Sequence, residues 1–127
     1  MIKNGYRYIK SIIDIDKFLA DTGNMYVLVG QRAYKGKTDE KGNTLIDSGV
    51  TVTLQIIEDS SEPVYDKMGV EKEDNRLETF DVTIVGENYP KKIKKGDYVR
   101  LANFRSDISY YINYALVLRF ESISRAE

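Results

Sequence analysis

The chain has 127 residues, of which 42% are hydrophobic and 31% charged, and its formal net charge at pH 7 is −1. This length and composition predict one soluble globular domain, because no apolar run approaches the roughly 18 residues that a membrane span needs. The chain contains no cysteine and no histidine, which excludes thiol nucleophiles, Ser-His and Cys-His pairs and the common zinc sites.

Neither catalysis nor cofactor binding has a signature in the sequence. No P-loop or glycine-rich dinucleotide motif follows a predicted strand. The carboxylates are scattered among lysines, as in VYDKMGVEKEDNRLE, which is typical of a solvated loop. We therefore expect a protein that is not an enzyme and that uses no metal and no cofactor. The start of the chain lacks a secretory h-region and cleavage site, so we expect a cytoplasmic location.

Residues 1–24 are interpreted as an N-terminal extension. The segment DIDKFLADTG begins at Asp14 and ends at Gly23, and it is typical of a short helix with an aspartate cap and a glycine stop. The preceding segment YRYIKSII fits an additional strand equally well, with Tyr6 and Tyr8 alternating before an apolar end.

Five later segments have the period-two alternation of strands, with turn residues between them. They span 25–36, 49–59, 78–87, 97–104 and 114–123. In the second segment the aliphatic residues at 50, 52, 54 and 56 alternate with polar residues, which predicts one buried and one wet face. In the third segment Phe80 shares the parity of Val82 and Ile84, so it is assigned to the core.

Five strands, with a longer connection between the third and the fourth, are the outline of an oligonucleotide-binding (OB) barrel. Small sandwiches and SH3-like barrels have similar numbers of strands. We predict an all-β chain with a short helix, folded as a five-stranded OB-fold Greek-key barrel. It forms a single domain over residues 1–127, with a core at about 25–123.

Four segments then identify a family resemblance: YVLVGQ, FDVTIVGE, IKKGDYVRL and LVLRFESI, in this order. The chain resembles the single-stranded DNA-binding proteins of bacteria, their phages and mobile elements. In that family a V-x-L-x-G first strand, a strand ending in glycine before a short connecting helix, and a Lys-Gly-Asp/Ser turn into the next strand recur. The C-terminal sequence SISRAE differs from the acidic tail of cellular members. We therefore expect a short form from a phage, plasmid or conjugative element.

The resemblance implies sequence-tolerant capture and protection of single-stranded DNA during replication or transfer. Such binding needs cations that meet phosphates and aromatic planes on which bases stack. Linked sites raise avidity, so we expect a homodimer or tetramer, with replication proteins as further partners and no membrane contact.

The candidate binding residues follow from strand parity. In DYVRLANF, alternation places Val99 and Leu101 in the core and Tyr98, Arg100 and Phe104 on the outer surface. In the first strand Arg32 and Tyr34 have the parity opposite to Val27 and Val29. Tyr110 and Tyr111 are expected at the tip of a hairpin between the fourth and fifth strands. The complete predicted set is Arg32, Tyr34, Lys91, Lys92, Lys94, Lys95, Tyr98, Arg100, Phe104, Arg105, Tyr110 and Tyr111.

Net charge opposes this interpretation, because a nucleic-acid surface should be basic. Residues 93–105 nevertheless carry four positive side chains against one aspartate, so we expect modest, salt-sensitive binding to a local basic surface. Two alternatives stay open. One is an OB-fold protein-interaction module of a replication or conjugation complex that binds no nucleic acid, and the other is a nuclease or another carboxylate enzyme.

Overall fold

The computed structural model describes residues 1–8 and 12–126, which are mostly β structure with one short α-helix. Within these residues a 3-10 turn covers Gly5–Tyr8 and helix α1 covers Ile15–Asp21. The strands are β1 Tyr26–Tyr34, β2 Lys37–Thr38, β3 Thr44–Ile46, β4 Gly49–Ile56, β5 Thr79–Val85, β6 Tyr98–Phe104, β7 Tyr110–Ile112 and β8 Ala115–Arg125. None of the described helices has the length and apolar character required to cross a membrane.

Five strands form a ring of hydrogen bonds. Strand β1 pairs with β4 and with β6, β4 pairs with β5, and β6 pairs with β8, all antiparallel. A parallel pairing between β5 and β8 completes the ring. Strand β7 pairs only with β8 and is therefore an edge strand, while β2 and β3 form a separate two-stranded sheet.

The core fills the inside of this ring. Its largest fully buried side chains are Tyr26, Phe120, Leu28, Leu54, Ile84, Val52, Val82 and Val99. The buried face predicted for the second strand is confirmed at Val52, Leu54 and Ile56 of β4, whereas Thr51 of the predicted wet face is buried as well. Phe80 also packs against the core, with its ring centroid 5.1 Å from that of Tyr26 in an edge-on arrangement.

Helix α1 confirms the prediction of a short helix ending near Gly23. The Asp14 carboxylate caps it by accepting a hydrogen bond from the Lys17 backbone N–H at 3.1 Å. Gly23 follows the helix with a φ of 71°, which glycine adopts easily. The ring of Phe18 lies 5.4 Å from that of Phe80, so the helix packs on the ring of strands where β5 begins.

Several predicted element positions differ from the structure. Three short strands, β2, β3 and β7, accompany the five expected ones. The longest connection is residues 57–78, between the second and third ring strands, rather than the one between the third and fourth. That later connection, residues 86–97, contains no helix. Tyr6 and Tyr8 lie in the 3-10 turn rather than in a strand, and residues 9–11 of that alternative lie outside the described residues.

The predicted parity of the first strand is wrong at its start. Tyr26 and Leu28 are the buried residues of β1, whereas Val29 is exposed. A bulge between Leu28 and Gly30 shifts the pairing with β4 by one residue. Because an extra residue in one strand reverses the alternation beyond it, parity on one side of the bulge does not predict the other side.

Candidate nucleic-acid interface

The turn before β6 presents four lysines on an anchored backbone. This lysine turn, residues 91–97, places Lys91, Lys92, Lys94 and Lys95 at the surface while Ile93 is buried in the core. The Gly96 N–H donates to the Leu28 carbonyl at 2.7 Å, and the Leu28 N–H donates to the Asp97 carbonyl at 2.9 Å. The turn is therefore held against β1, and its ammonium groups face solvent.

Strand β6 continues from this turn with the predicted alternation over its first residues. Val99 and Leu101 are buried, while Arg100 is exposed and Tyr98 keeps 50% of its surface accessible. Tyr98 pairs with Val27 of β1, and Arg100 pairs with Ser124 of β8. One outer face of β6 therefore presents an aromatic plane and a guanidinium next to the lysine turn.

Phe104 does not belong to this outer face, which corrects the prediction. Its ring packs edge-on against buried Phe120 at a centroid distance of 5.1 Å, and it is half-buried against the core. Asn103, the residue before it, has a left-handed backbone with a φ of 61°. That conformation interrupts the regular alternation of an extended strand, so parity counted from Tyr98 no longer holds at Phe104.

Ion pairs divide the predicted cations into two groups. Arg32 pairs with Asp81 at 3.0 Å, and Arg105 pairs with Asp107 at 2.8 Å and Glu121 at 3.4 Å. By contrast, the ion pairs found over residues 1–8 and 12–126 involve none of Lys91, Lys92, Lys94, Lys95 and Arg100. Among the predicted binding cations in the described part of the chain, those without a carboxylate partner are thus the lysines of the lysine turn and Arg100 of β6.

A row of four outward residues crosses the sheet beside these strands. In register they are Arg32 of β1, Thr51 of β4, Thr83 of β5 and Arg119 of β8. The two threonine hydroxyls lie 3.0 Å apart. Arg119 is only 5% exposed, and its guanidinium lies 5.9 Å from the ring centroid of Tyr34 and 5.6 Å from that of Tyr110.

Sequence analysis missed the burial of Arg119, because alternation alone places it on the outside of β8 between inward Leu118 and Phe120. The segment that covers Arg119 is β7 with the residues before it. The sequence of this segment has no alternation that would predict its packing over β8. Tyr34, predicted as a free stacking surface, is half-buried against this guanidinium instead.

The hairpin between β7 and β8 has a different tip from the predicted one. Tyr110 and Tyr111 lie within β7, and the turn consists of Asn113 and Tyr114 with φ values of 50° and 65°. Two successive positive φ values are typical of the tight hairpin turn that follows strand twist. Tyr114 is 94% exposed there, and its asparagine neighbour was the available sequence signal for the turn.

Acidic residues are concentrated in the loop of residues 57–78, which connects β4 to β5. This acidic loop contains eight carboxylates against three cations, so the rest of the chain is net positive despite a total of −1. It also lines a cavity of about 620 Å³, whose walls include Glu71, Glu73, Asp74 and Glu78 together with Lys72 and Arg76. A cavity with that lining does not favour a phosphate.

Comparison of this chain with protein-family models, with curated proteins and with solved structures gave no match. Function is therefore inferred from the geometry of the lysine turn, β6 and the strands beside them.

Proposed function

We propose that this protein is a single-stranded DNA-binding protein with an OB fold, acting without catalysis in replication or transfer of a phage or mobile element in the cytoplasm. The arrangement of the first four ring strands supports the fold. In space they follow the order β6, β1, β4, β5, all antiparallel, which is the 4-1-2-3 order of a Greek key. Strand β8 joins the two ends of this unit, as a five-stranded OB barrel requires.

The observation that carries the function is the continuity of the lysine turn with the outer face of β6. Four ammonium groups without carboxylate partners lead into half-exposed Tyr98 and exposed Arg100. A single strand laid along this surface pairs its phosphates with the cations while a base stacks on Tyr98. Stacking of one base on an aromatic side chain contributes about 1–3 kcal/mol and tolerates every base.

In this proposal the same surface prefers single strands to duplex. Paired bases are stacked on each other and have no free face for Tyr98, so a duplex gains only the phosphate contacts. One such surface binds modestly, and a homodimer or tetramer would place several on one strand and raise avidity without new contacts. We therefore include self-association in the proposal.

Tyrosine fluorescence gives a direct test, because the chain has ten tyrosines and no tryptophan. Titration with oligo-dT should quench the emission in wild type, and Tyr98→Leu should weaken binding by about 1–3 kcal/mol without lowering the melting temperature. The matched control is Tyr65→Leu, which replaces a tyrosine of the acidic loop that is 59% exposed, against 50% for Tyr98. Unchanged fluorescence and unchanged electrophoretic mobility with oligo-dT at low salt would rule out the proposal.

The acidic loop favours a second candidate function, that of a protein-interaction module. Besides its carboxylates it exposes five large apolar side chains, Val64, Tyr65, Met68, Val70 and Leu77. Exposed apolar side chains rimmed by charge are typical of docking surfaces, and this loop fits a basic, apolar partner. In that case wild type binds a basic amphipathic peptide and a Met68→Ser, Val70→Ser variant does not. Oligo-dT then changes the fluorescence of neither protein.

A further inference from the structure

Arg119 is a buried cation, and residues 1–8 and 12–126 provide it with no anionic partner. It belongs to none of the ion pairs found in the described part of the chain. Its guanidinium lies between the rings of Tyr34 and Tyr110, and Nη1 donates to the backbone carbonyl of Ile108. Burying a charge is unfavourable unless the charge is paired and hydrogen-bonded, and aromatic faces with one carbonyl meet only part of that requirement.

Two unpaired hydrogen-bond donors coincide at this place. Among the described residues, the buried side-chain polar atoms without a hydrogen-bond partner are Arg119 Nε and the Tyr34 hydroxyl. They belong to neighbouring side chains, with the Arg119 guanidinium carbon 5.9 Å from the centroid of the Tyr34 ring. An unpaired buried donor is unfavourable, and more so on a charged group, so two of them on neighbouring side chains indicate a function that uses them.

We propose that Arg119 forms an oxyanion site for a single phosphate group, with the Tyr34 hydroxyl as its second donor. The Nε edge of a guanidinium matches the spacing of two phosphate oxygens, and such charge-assisted hydrogen bonds are about twice as strong as neutral ones. The two tyrosine rings fix the guanidinium plane, so little side-chain freedom remains to be lost on binding.

Access to the site is controlled by the hairpin of β7 and β8. Tyr110, which covers one side of the guanidinium, lies on edge strand β7, and the sheet neighbour of β7 is β8 alone. Its ring keeps 39% of its surface exposed. Outward movement of this ring opens a path to Nε without disturbing the ring of five strands.

The test follows the ¹⁵Nε–¹Hε signal of Arg119, identified by its loss in Arg119→Lys. Sodium phosphate is titrated at constant ionic strength, with sodium chloride as the balancing salt. We expect a saturable shift of this signal and a rise of the melting temperature with phosphate. Tyr34→Phe should weaken phosphate binding about tenfold, as the loss of one hydrogen bond to a charged group predicts. Tyr65→Phe, which removes an exposed hydroxyl in the acidic loop, should bind like wild type.

A second arm distinguishes the source of the phosphate. Oligo-dT without terminal phosphates replaces the inorganic ion in the same titration. A shift with inorganic phosphate assigns the site to a free or terminal phosphate group, and a shift with oligo-dT alone assigns it to the nucleic-acid backbone. If neither probe moves the signal and phosphate leaves the melting temperature unchanged, the proposal is overturned. Equal affinity of Tyr34→Phe and wild type overturns the role of Tyr34. Quenching by oligo-dT together with an Arg119 signal that neither probe moves rejects this site and leaves single-strand binding standing.

Discussion

Arg32 on β1 donates to Asp81 on β5 across the intervening strand β4, with Nη2 and Oδ2 3.0 Å apart. The Thr53 hydroxyl of β4 donates to the other carboxylate oxygen of Asp81 at 2.6 Å. The hydroxyl of Thr53, followed by the guanidinium of Arg32, holds the pKa of Asp81 below its ordinary value. At neutral pH this carboxylate is therefore charged and competes with any phosphate for Arg32.

Removing that competition should strengthen single-strand binding. Asp81→Asn keeps the shape of the side chain but removes its charge, which leaves Arg32 available to a phosphate. Because exposed ion pairs contribute about 0.2–1 kcal/mol, we expect affinity for oligo-dT to rise about 1.4- to fivefold at low salt. Fluorescence titration measures the change.

Asp74→Asn is the matched control for Asp81→Asn, since Asp74 pairs with Arg76 in the acidic loop at 2.8 Å. It changes the net charge equally and should alter affinity much less. Equal gains in the two variants would show that net charge alone is responsible. A loss of affinity in Asp81→Asn would contradict the assignment of Arg32 to the interface.

Truncation of Phe104 should lower stability, whereas truncation of Arg100 should lower DNA affinity. Phe104→Ala removes a half-buried ring from its contact with Phe120, so we expect the free energy of unfolding to fall by about 2–4 kcal/mol, somewhat less than for a fully buried ring. Arg100→Ala should leave it nearly unchanged and weaken oligo-dT binding. Chemical denaturation of both variants decides the matter. A stable Phe104→Ala protein that has lost DNA affinity would restore the original parity assignment.

Asn24 should be important for stability although it lies outside the strands. Its side-chain amide donates to the Leu101 carbonyl at 2.9 Å, and its Oδ1 accepts from the Leu101 N–H at 3.1 Å. The side chain thus pairs with β6 as another strand would. Asn24→Ala leaves two backbone groups without these partners, so we expect a loss of about 1–3 kcal/mol in unfolding free energy. Asn43→Ala in an exposed turn is the comparison, and equal losses would argue against this role.

Protonation of Asp59 in the acidic loop should lower the free energy of unfolding at low pH. The Ser61 side chain, followed by the backbone N–H groups of Asn75 and Ser61, holds the pKa of Asp59 below its ordinary value. A depressed folded-state pKa contributes stability above the unfolded pKa, about 3.9, and this contribution is lost as pH falls through the folded value. Unfolding free energy should therefore decline below about pH 4, and less steeply in Asp59→Asn. An identical decline in both proteins would contradict this account.

Sequence periodicity was sufficient for the regular parts of the fold. Strictly alternating β4 and helix α1, with its Asp14 cap, were predicted because local pattern and burial agree there. Sequence periodicity failed where an irregular backbone conformation at a single residue changes which side chains face the core. The bulge after Leu28 and the left-handed Asn103 each reverse the facing of later residues, and neither has a reliable signature in a single sequence.

The sequence predicted which residues lie in the candidate site, but not which of their side chains are free to contact a ligand. The lysines at 91–95, Tyr98 and Arg100 are exposed as expected, since each follows a turn or a regular strand. Arg32 and Arg105 are instead held in ion pairs with Asp81 of β5 and Glu121 of β8. These partners are distant in the sequence, so the pattern around each arginine did not predict the pairs. Burial of Arg119 likewise depends on contacts with Tyr34 and Tyr110, which only the folded chain brings together.

The salt dependence of oligo-dT affinity tests the central claim most directly. If the lysine turn binds phosphates, log K falls linearly with log salt, with a slope of about −0.7 for each phosphate contacted. Lys94→Gln, Lys95→Gln should lose two contacts and make the slope shallower by about 1.4, whereas Lys67→Gln, Lys72→Gln in the acidic loop should leave the wild-type slope. A flat wild-type dependence, or the same slope in all three proteins, would contradict single-strand binding at the lysine turn.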